Sequence, residues 1–371
     1  MHFSQILALA TLFESVYPYA HYAQDFPATL EKRKGGKGGG TQGADGGLDP
    51  VLIGDLRTKV ISTEAQDIAS VLLSDNRIKP ESFDVKEKPV LDLAECDPSD
   101  TCCQWFFISE ELSSKFLEAD GQCNDLARAA IRLGFHDAGT WSQVEADAGN
   151  DFGGADGSLA LFFEEGRAEN GGLQEITDYA RDLYATYNVG MGDLIQYMAV
   201  HATVSCPLGP RVRAYVGRED AVQPALNNLL PSVHAPADDL IQLFIDKTIT
   251  PHMLTALLGA HSTSKQFGVD TAKSGFPQDS TPGVWDVSFY NETVSDIGED
   301  CVFKFPSDVA LAAHPQMNNE WMSFVDDQEH WNEDYAAAYL RLSLLGVNNI
   351  NELKECSYTL PTKKTRIPKK A

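Results

Sequence analysis

The chain has 371 residues, of which 43% are hydrophobic, enough to bury the core of one large domain or two small ones. Its 54 acidic residues against 29 basic ones give a formal net charge of −25, which argues against nucleic acid or an anionic membrane as a partner. Beyond the N-terminus no run reaches the roughly 18 apolar residues that a membrane helix requires.

Residues 1–20, "MHFSQILALATLFESVYPYA", set an apolar centre before a small residue, the pattern of a secretory signal peptide, although no Lys or Arg precedes that centre. Residues 21–33 end in Lys32-Arg33, a dibasic pair that resembles a propeptide cleavage site. Residues 34–95 follow as a Gly-rich linker, "KGGKGGGTQGADGG", and an N-terminal extension. In that extension Ser62 should cap one amphipathic helix whose apolar positions are Ala65, Ile68, Ala69, Leu72 and Leu73, packed on a larger body.

From Cys96 onward helical periods separated by Gly and Pro clusters dominate, so the fold class is mainly α. Asn124 should cap a helix through "DLARAAIRLGFHDAG", ended by Gly139. Leu194, Ile195, Met198 and Ala199 mark a second helix; Thr250 caps a third with Pro251 at its first position. "NEDYAAAYLRLSLLG" predicts another, stopped at Gly346, and residues 362–371 read as a loose basic tail. Seven cysteines behind a signal sequence imply disulfides with one thiol left over. The adjacent Cys102 and Cys103 would strain the peptide if bonded to each other, so they should have different partners, most simply distant ones.

Within "RLGFHDAG", Arg132 and His136 stand four residues apart and therefore project from one helix face. Alone, such a pair reads as a charged surface helix. Here Ile131, Leu133 and Phe135 make the face semi-apolar, and Asp137 is followed by "GNDFGGADGS". The stretch "GQCNDLARAAIRLGFHDAG…GGADGS" resembles the distal half of the plant-type haem peroxidases, and specifically the secreted fungal class that includes lignin and manganese peroxidases. "CPLGPRVRAYVGREDA", "LTALLGAHSTSKQFG" and "NNEWMSFVDDQ" match further family segments in order, so the resemblance runs from about residue 96 to 361.

The resemblance implies a haem peroxidase fold over residues 96–361, with distal and proximal helical halves sandwiching one haem b, and a secreted monomer. The expected reaction reduces hydrogen peroxide and oxidises small aromatic reductants by one-electron steps at the haem edge. His136 fits the proton carrier that O–O cleavage needs. Arg132, always protonated, fits the group that stabilises charge on the departing oxygen. Asn170, in "ENGGLQEI", would fix the tautomer of His136. His261 would be the axial iron ligand, and Asp308, in "FPSDVALA", would make it more electron-donating. Among the other histidines, His201 reads as a satisfied core residue and His252 as an exposed one.

Oxygen-rich loops beside both histidines imply two Ca2+ ions. The resemblance assigns Asp137, Gly154 through its carbonyl, Asp156 and Ser158 to the first, and Ser262, Asp279, Thr281, Val284 through its carbonyl, and Asp286 to the second. It also implies the disulfides Cys96–Cys103, Cys102–Cys356 and Cys123–Cys206, with Cys301 odd. Asn291 heads a glycosylation sequon.

The manganese site of the family would fall on Asp125, Ala129 and Phe267, one carboxylate of three, and the exposed tryptophan of lignin peroxidases on Ala256. Gln278 replaces a phenylalanine, and Trp105, Trp285, Trp321 and Trp331 read as core. The alternatives are a manganese-dependent peroxidase and a non-catalytic calcium-binding protein on the same scaffold.

Overall fold

Helix termini are where this sequence is most explicit, and the computed structural model, which describes residues 51–73, 84–296 and 301–367, starts its helices at those signals. The signal sequence, the pair Lys32-Arg33 and the Gly-rich linker lie outside the described residues. Among the described residues there are thirteen α-helices: α1 (Thr63–Leu73), α2 (Cys103–Lys115), α3 (Asp125–Ala138), α4 (Gln143–Asp147), α5 (Ser158–Leu161), α6 (Gln174–Tyr187), α7 (Met191–Ser205), α8 (Ala237–Asp246), α9 (Pro251–Leu258), α10 (Ser288–Val294), α11 (Pro306–Ala313), α12 (Asn318–Phe324) and α13 (Gln328–Leu342). Among the described residues strand is confined to β1 (Tyr215–Val216) and β2 (Lys354–Glu355), antiparallel, with Tyr215 opposite Glu355.

Ser62 Oγ accepts from Ala65 N at 3.1 Å, Asn124 Oδ1 from Ala127 N at 3.0 Å, and Thr250 Oγ1 from Met253 N at 3.3 Å, each satisfying an amide that the first helical turn leaves open. α3 packs along α7, which is buried over its whole length. The close approach depends on Gly134: a Cβ there would lie 2.5 Å from Ala199 Cβ and 2.2 Å from Tyr339 Oη. Tyr339 in turn donates to Gln196 Oε1 (3.1 Å), and Gln196 Nε2 donates to Gly134 O (3.0 Å). On the other side of the molecule α13 packs along α9, and Trp105, Trp285, Trp321 and Trp331 are all buried.

The extension shares this core. α1 buries Ala65, Ile68, Ala69 and Leu72, whereas Leu73, expected on the same face, is half exposed. Buried Arg341 donates to Val51 O (2.9 Å) and Leu72 O (2.7 Å), and Asp55 accepts from the amides of Ile350 and Asn351, so residues 51–73 are stitched to α13 and the turn after it. Part of the basic tail is also tied down, because Lys364 donates from Nζ to Ser205 O at 2.8 Å and its carbonyl accepts from Leu208 N.

The end of α13 also departs from expectation. α13 ends at Leu342, short of Gly346, because the Arg218 guanidinium takes the Ser343 carbonyl at 2.9 and 3.1 Å and turns the chain out of the helix. The three disulfides are those the resemblance implied: Cys102 pairs with the distant Cys356, Cys123 with Cys206, and Cys103 with Cys96, seven residues away rather than distant. The short 3-10 turn Leu93–Glu95 folds that segment back to a Cα separation of 5.7 Å, within disulfide reach. Cys301 is free and exposed.

His201 lies fully buried in α7, its Nε2 donating to Ser109 O (3.0 Å) while Ser205 Oγ donates to Nδ1 (3.2 Å). Burial pushes its pKa down from 6.5 to about 3. The unfolded chain therefore binds the proton more readily between those values, and stability falls as pH drops from about 6.5 towards 3, by at most about 1.4 kcal/mol per unit. Urea unfolding across this range should show His201→Gln flattening that slope.

Candidate active site

Arg132 and His136 reach the same side of α3, as the helical period requires, and they face the loop that follows α5. His136 Nδ1 lies 2.8 Å from Asn170 Oδ1, so the ring proton belongs on Nδ1 and Nε2 keeps its lone pair. Asn170 is fully buried and oriented by donating from Nδ2 to Glu164 O at 3.0 Å. Arg132 donates from Nε to His136 Nε2 (3.2 Å) and from Nη1 to Gly171 O (2.8 Å). Burial first, and the guanidinium second, hold the His136 pKa well below its usual 6.5, which keeps the imidazole neutral. Glu164, whose carbonyl fixes Asn170, was not a sequence candidate; nothing in its local pattern marks it, since its role is played by the backbone.

His261 sits in the 3-10 turn Gly259–Thr263 that continues α9. Its Nδ1 lies 2.9 Å from Asp308 Oδ2, at the start of α11, and the rings of Phe289 and Phe305 meet it edge-on. With Nδ1 committed to a buried carboxylate, Nε2 on the opposite edge is the available ligand atom. His261 is the smallest of the influences on the His136 pKa, lowering it further. Gly259 permits the turn's position: its Cβ would stand 2.4 Å from the Trp331 indole, which is held by a hydrogen bond to Ala256 O (2.9 Å) and stacked on Trp285.

The acidic residues of each oxygen-rich loop lie close to one another, Asp137 with Asp156 and Asp279 with Asp286. Asp137 is completely buried, its oxygens accepting from the amides of Gly157 and Leu159; Asp156 accepts from Ser158 N and Gly153 N; Ser158 Oγ is buried without a hydrogen bond. Burial, and then the Asp156 charge, push the Asp137 carboxyl well above its usual range. Gly154 adopts φ of +101°, a left-handed conformation that leaves no room for a Cβ 2.3 Å from Leu345 O. In the second cluster Ser262 Oγ and Asp279 Oδ2 are likewise buried without hydrogen bonds. Thr281 donates to Asp286 Oδ2 at 2.9 Å, Val284 is buried in the same loop, and burial followed by the Asp286 charge pushes Asp279 up.

Of the three candidate manganese positions, Asp125 is ion-paired with Arg128 and, at 3.0 Å, with Lys265; Ala129 carries no ligand atom, and Phe267 is exposed. Ala256 is fully buried. Gln278 is buried with neither amide atom hydrogen-bonded, and the structure supplies no account of it. Asn291 is exposed on α10, while Thr293 of its sequon is buried and donates to Phe289 O. The expectation that His252 is exposed is wrong: it is partly buried between Glu320 and Asp334, because α12 and α13 close over the first turn of α9.

A family model described as Peroxidase matches residues 110–327. Ligninase C of Trametes versicolor is 33% identical to this chain over 281 residues, covering 70% of the chain and 75% of the relative. A peroxidase of Arthromyces ramosus is 30% identical over 279 residues (70% and 76%), and a low-redox potential peroxidase of Taiwanofungus camphoratus 31% identical over 277 residues (70% and 78%).

The packing of Gly259 against a fixed indole sets a test of how tightly this side of the site is built. Gly259→Ala should destabilise the protein by about 1–3 kcal/mol through overpacking, read as a lowered thermal midpoint.

Proposed function

Because the chain belongs to the peroxidase family, in the fungal class of the ligninases, and is a haem peroxidase, we propose that it oxidises small phenolic or similar donors one electron at a time with the residues described above. The observation that carries this reading is the paired arrangement of His136 on Asn170 and His261 on Asp308, with Arg132 beside His136. His261 Nε2 would hold the iron of haem b. When bound, haem supplies the redox centre that takes two oxidising equivalents from peroxide and passes them on singly.

The chain's own residues then do three things. His136 Nε2 takes a proton from hydrogen peroxide and delivers it to the oxygen that leaves as water. Peroxide entering between them replaces the present contact of Arg132 Nε with that nitrogen, and the guanidinium stabilises the negative charge that grows on the leaving oxygen. Asn170 keeps the Nδ1 proton in place throughout, and Asp308 keeps His261 strongly donating. Asp125 already neutralises Arg128 and Lys265, which gives a manganese-dependent reading no support.

Calcium ions fit both oxygen-rich loops, because the orphaned Ser158, Ser262 and Asp279 oxygens and the crowded carboxylates need a cation more than a proton. We assign Asp137, Gly154, Asp156 and Ser158 to one ion, and Ser262, Asp279, Thr281, Val284 and Asp286 to the other. Since Asp137 follows His136 and Ser262 follows His261, each ion would pin a helix end that carries a site histidine. Secretion is the reading that three disulfides and the pattern of residues 1–33 support, with Asn291 as the glycosylated position. Among the described residues no helix is long and apolar enough to cross a membrane.

Purified protein should show a Soret band and oxidise a phenolic dye on addition of peroxide. His136→Leu should slow the peroxide step by roughly a hundred- to ten-thousand-fold in stopped flow; a variant as fast as wild type would remove His136 from its role. Stripping calcium with a chelator should cost activity before global unfolding, whereas full activity in demonstrably calcium-free protein would refute the assignment.

A further inference from the structure

A second cluster of ligand-bearing side chains lies outside the site described above. His252 in the first turn of α9, Glu320 on α12, and His330 and Asp334 one turn apart on α13 converge where these three helices meet. His252 Nδ1 is 3.3 Å from Glu320 Oε2 and His252 Nε2 is 3.5 Å from Asp334 Oδ2. His330 Nε2 is 2.9 Å from Asp334 Oδ2 and 3.6 Å from Glu320 Oε1. One ligand atom each from His252, Glu320 and Asp334 falls within a 4.8 Å span.

From this geometry we propose that His252, Glu320 and Asp334 form a binding site for a borderline divalent cation of the Zn2+ type, with His330 as the residue that positions Asp334. Ligand bonds of about 2.0–2.2 Å around a tetrahedral ion put neighbouring ligand atoms about 3.3–3.6 Å apart; one atom each from His252, Glu320 and Asp334 lies within 4.8 Å of the others, so small side-chain rotations that turn a single His252 nitrogen to the ion would close the set. One imidazole and two carboxylates make a mixed nitrogen and oxygen set, which suits Zn2+ and not the all-oxygen preference of Ca2+. Asp334 is nearly fully buried, and Glu320 Oε1 is buried without a hydrogen bond. Although burial opposes it, the neighbouring His252 and His330 hold the Glu320 carboxyl below its usual range, which keeps it ionised.

The site would matter to the chemistry only indirectly. α9 runs straight into the turn that carries His261, so an ion there would tie the start of that helix to α12 and α13. It would act as a brace on the proximal half, independent of which donor the enzyme oxidises.

The test uses calcium-saturated holoenzyme titrated with zinc chloride at pH 7 in a calorimeter. The expected result is one tight equivalent of zinc that excess calcium does not displace and that raises the thermal midpoint. His252→Ala and Glu320→Gln should weaken that binding at least a hundredfold, and His330→Ala by roughly ten- to a hundredfold, as for a residue that orients a ligand. A parallel readout is Cu2+ paramagnetic resonance on wild-type protein, where imidazole nitrogen coupling should appear and should vanish in His252→Ala. Absence of a stoichiometric zinc equivalent, or binding unchanged in both His252→Ala and Glu320→Gln, would overturn the proposal and leave the four residues as an ion-pair network joining three helices. Should the alanine variants fail to fold, Glu320→Gln, which keeps shape and hydrogen bonding, separates the same two outcomes by itself.

Discussion

Each imidazole of the active site spends one ring nitrogen on a buried side-chain acceptor, and the rest of the structure can be understood as what keeps those two hydrogen bonds in register. In the proposed role, His136 acts as a base only while its proton stays on Nδ1, and the Asn170 amide that holds it is itself held by the Glu164 carbonyl. His261 is a strong donor only while Asp308 remains ionised beside it in a nearly closed environment. Neither bond is strong enough to organise a protein alone, since a net hydrogen bond contributes about 0.5–1.5 kcal/mol and one to a charged group about 1.5–3. The helices that carry them must therefore be placed by packing, which explains Gly134 between α3 and the Ala199–Tyr339 wall and Gly259 against the Trp331 indole.

A second constraint comes from charge. The protein buries Asp137 and Asp279, where burial first and the charge of a neighbouring carboxylate, Asp156 or Asp286, second disfavour ionisation. Buried polar oxygens without partners are costly, and the proposed calcium ions would offset that cost at the two loops. The cluster around His252 obeys the same rule with softer ligands, at the point where three helices converge. The proposed ion sites and the helix packing would then serve one end, the rigidity of the turns that present His136 and His261.

Much of this was legible in the sequence because it is local. A cap is a hydrogen bond across three residues, and Ser62, Asn124 and Thr250 form theirs as expected. The shared face of Arg132 and His136 follows from the helical period alone. What was not legible depends on chain brought in from elsewhere. Leu73 is half exposed among the described residues, α13 stops at Leu342 because Arg218 claims a carbonyl, and His252 is covered because α12 and α13 fold across it. The three disulfides are those the family resemblance implied, Cys96–Cys103 included, where a short 3-10 turn brings the two cysteines together.

By itself, then, the amino-acid order determined the helical class, the starts of the principal helices and the identity of the residues with chemistry to offer, because those properties reside in side-chain type and in contacts between near neighbours. Only the tertiary structure decided which of them meet. It brought Asn170 to His136 and Asp308 to His261, left the Ser158, Ser262 and Asp279 oxygens buried and unsatisfied, and gathered His252, Glu320, His330 and Asp334 into one cluster. Burial and pKa are properties of the surroundings, and for these side chains the surroundings are supplied by segments far away in the chain.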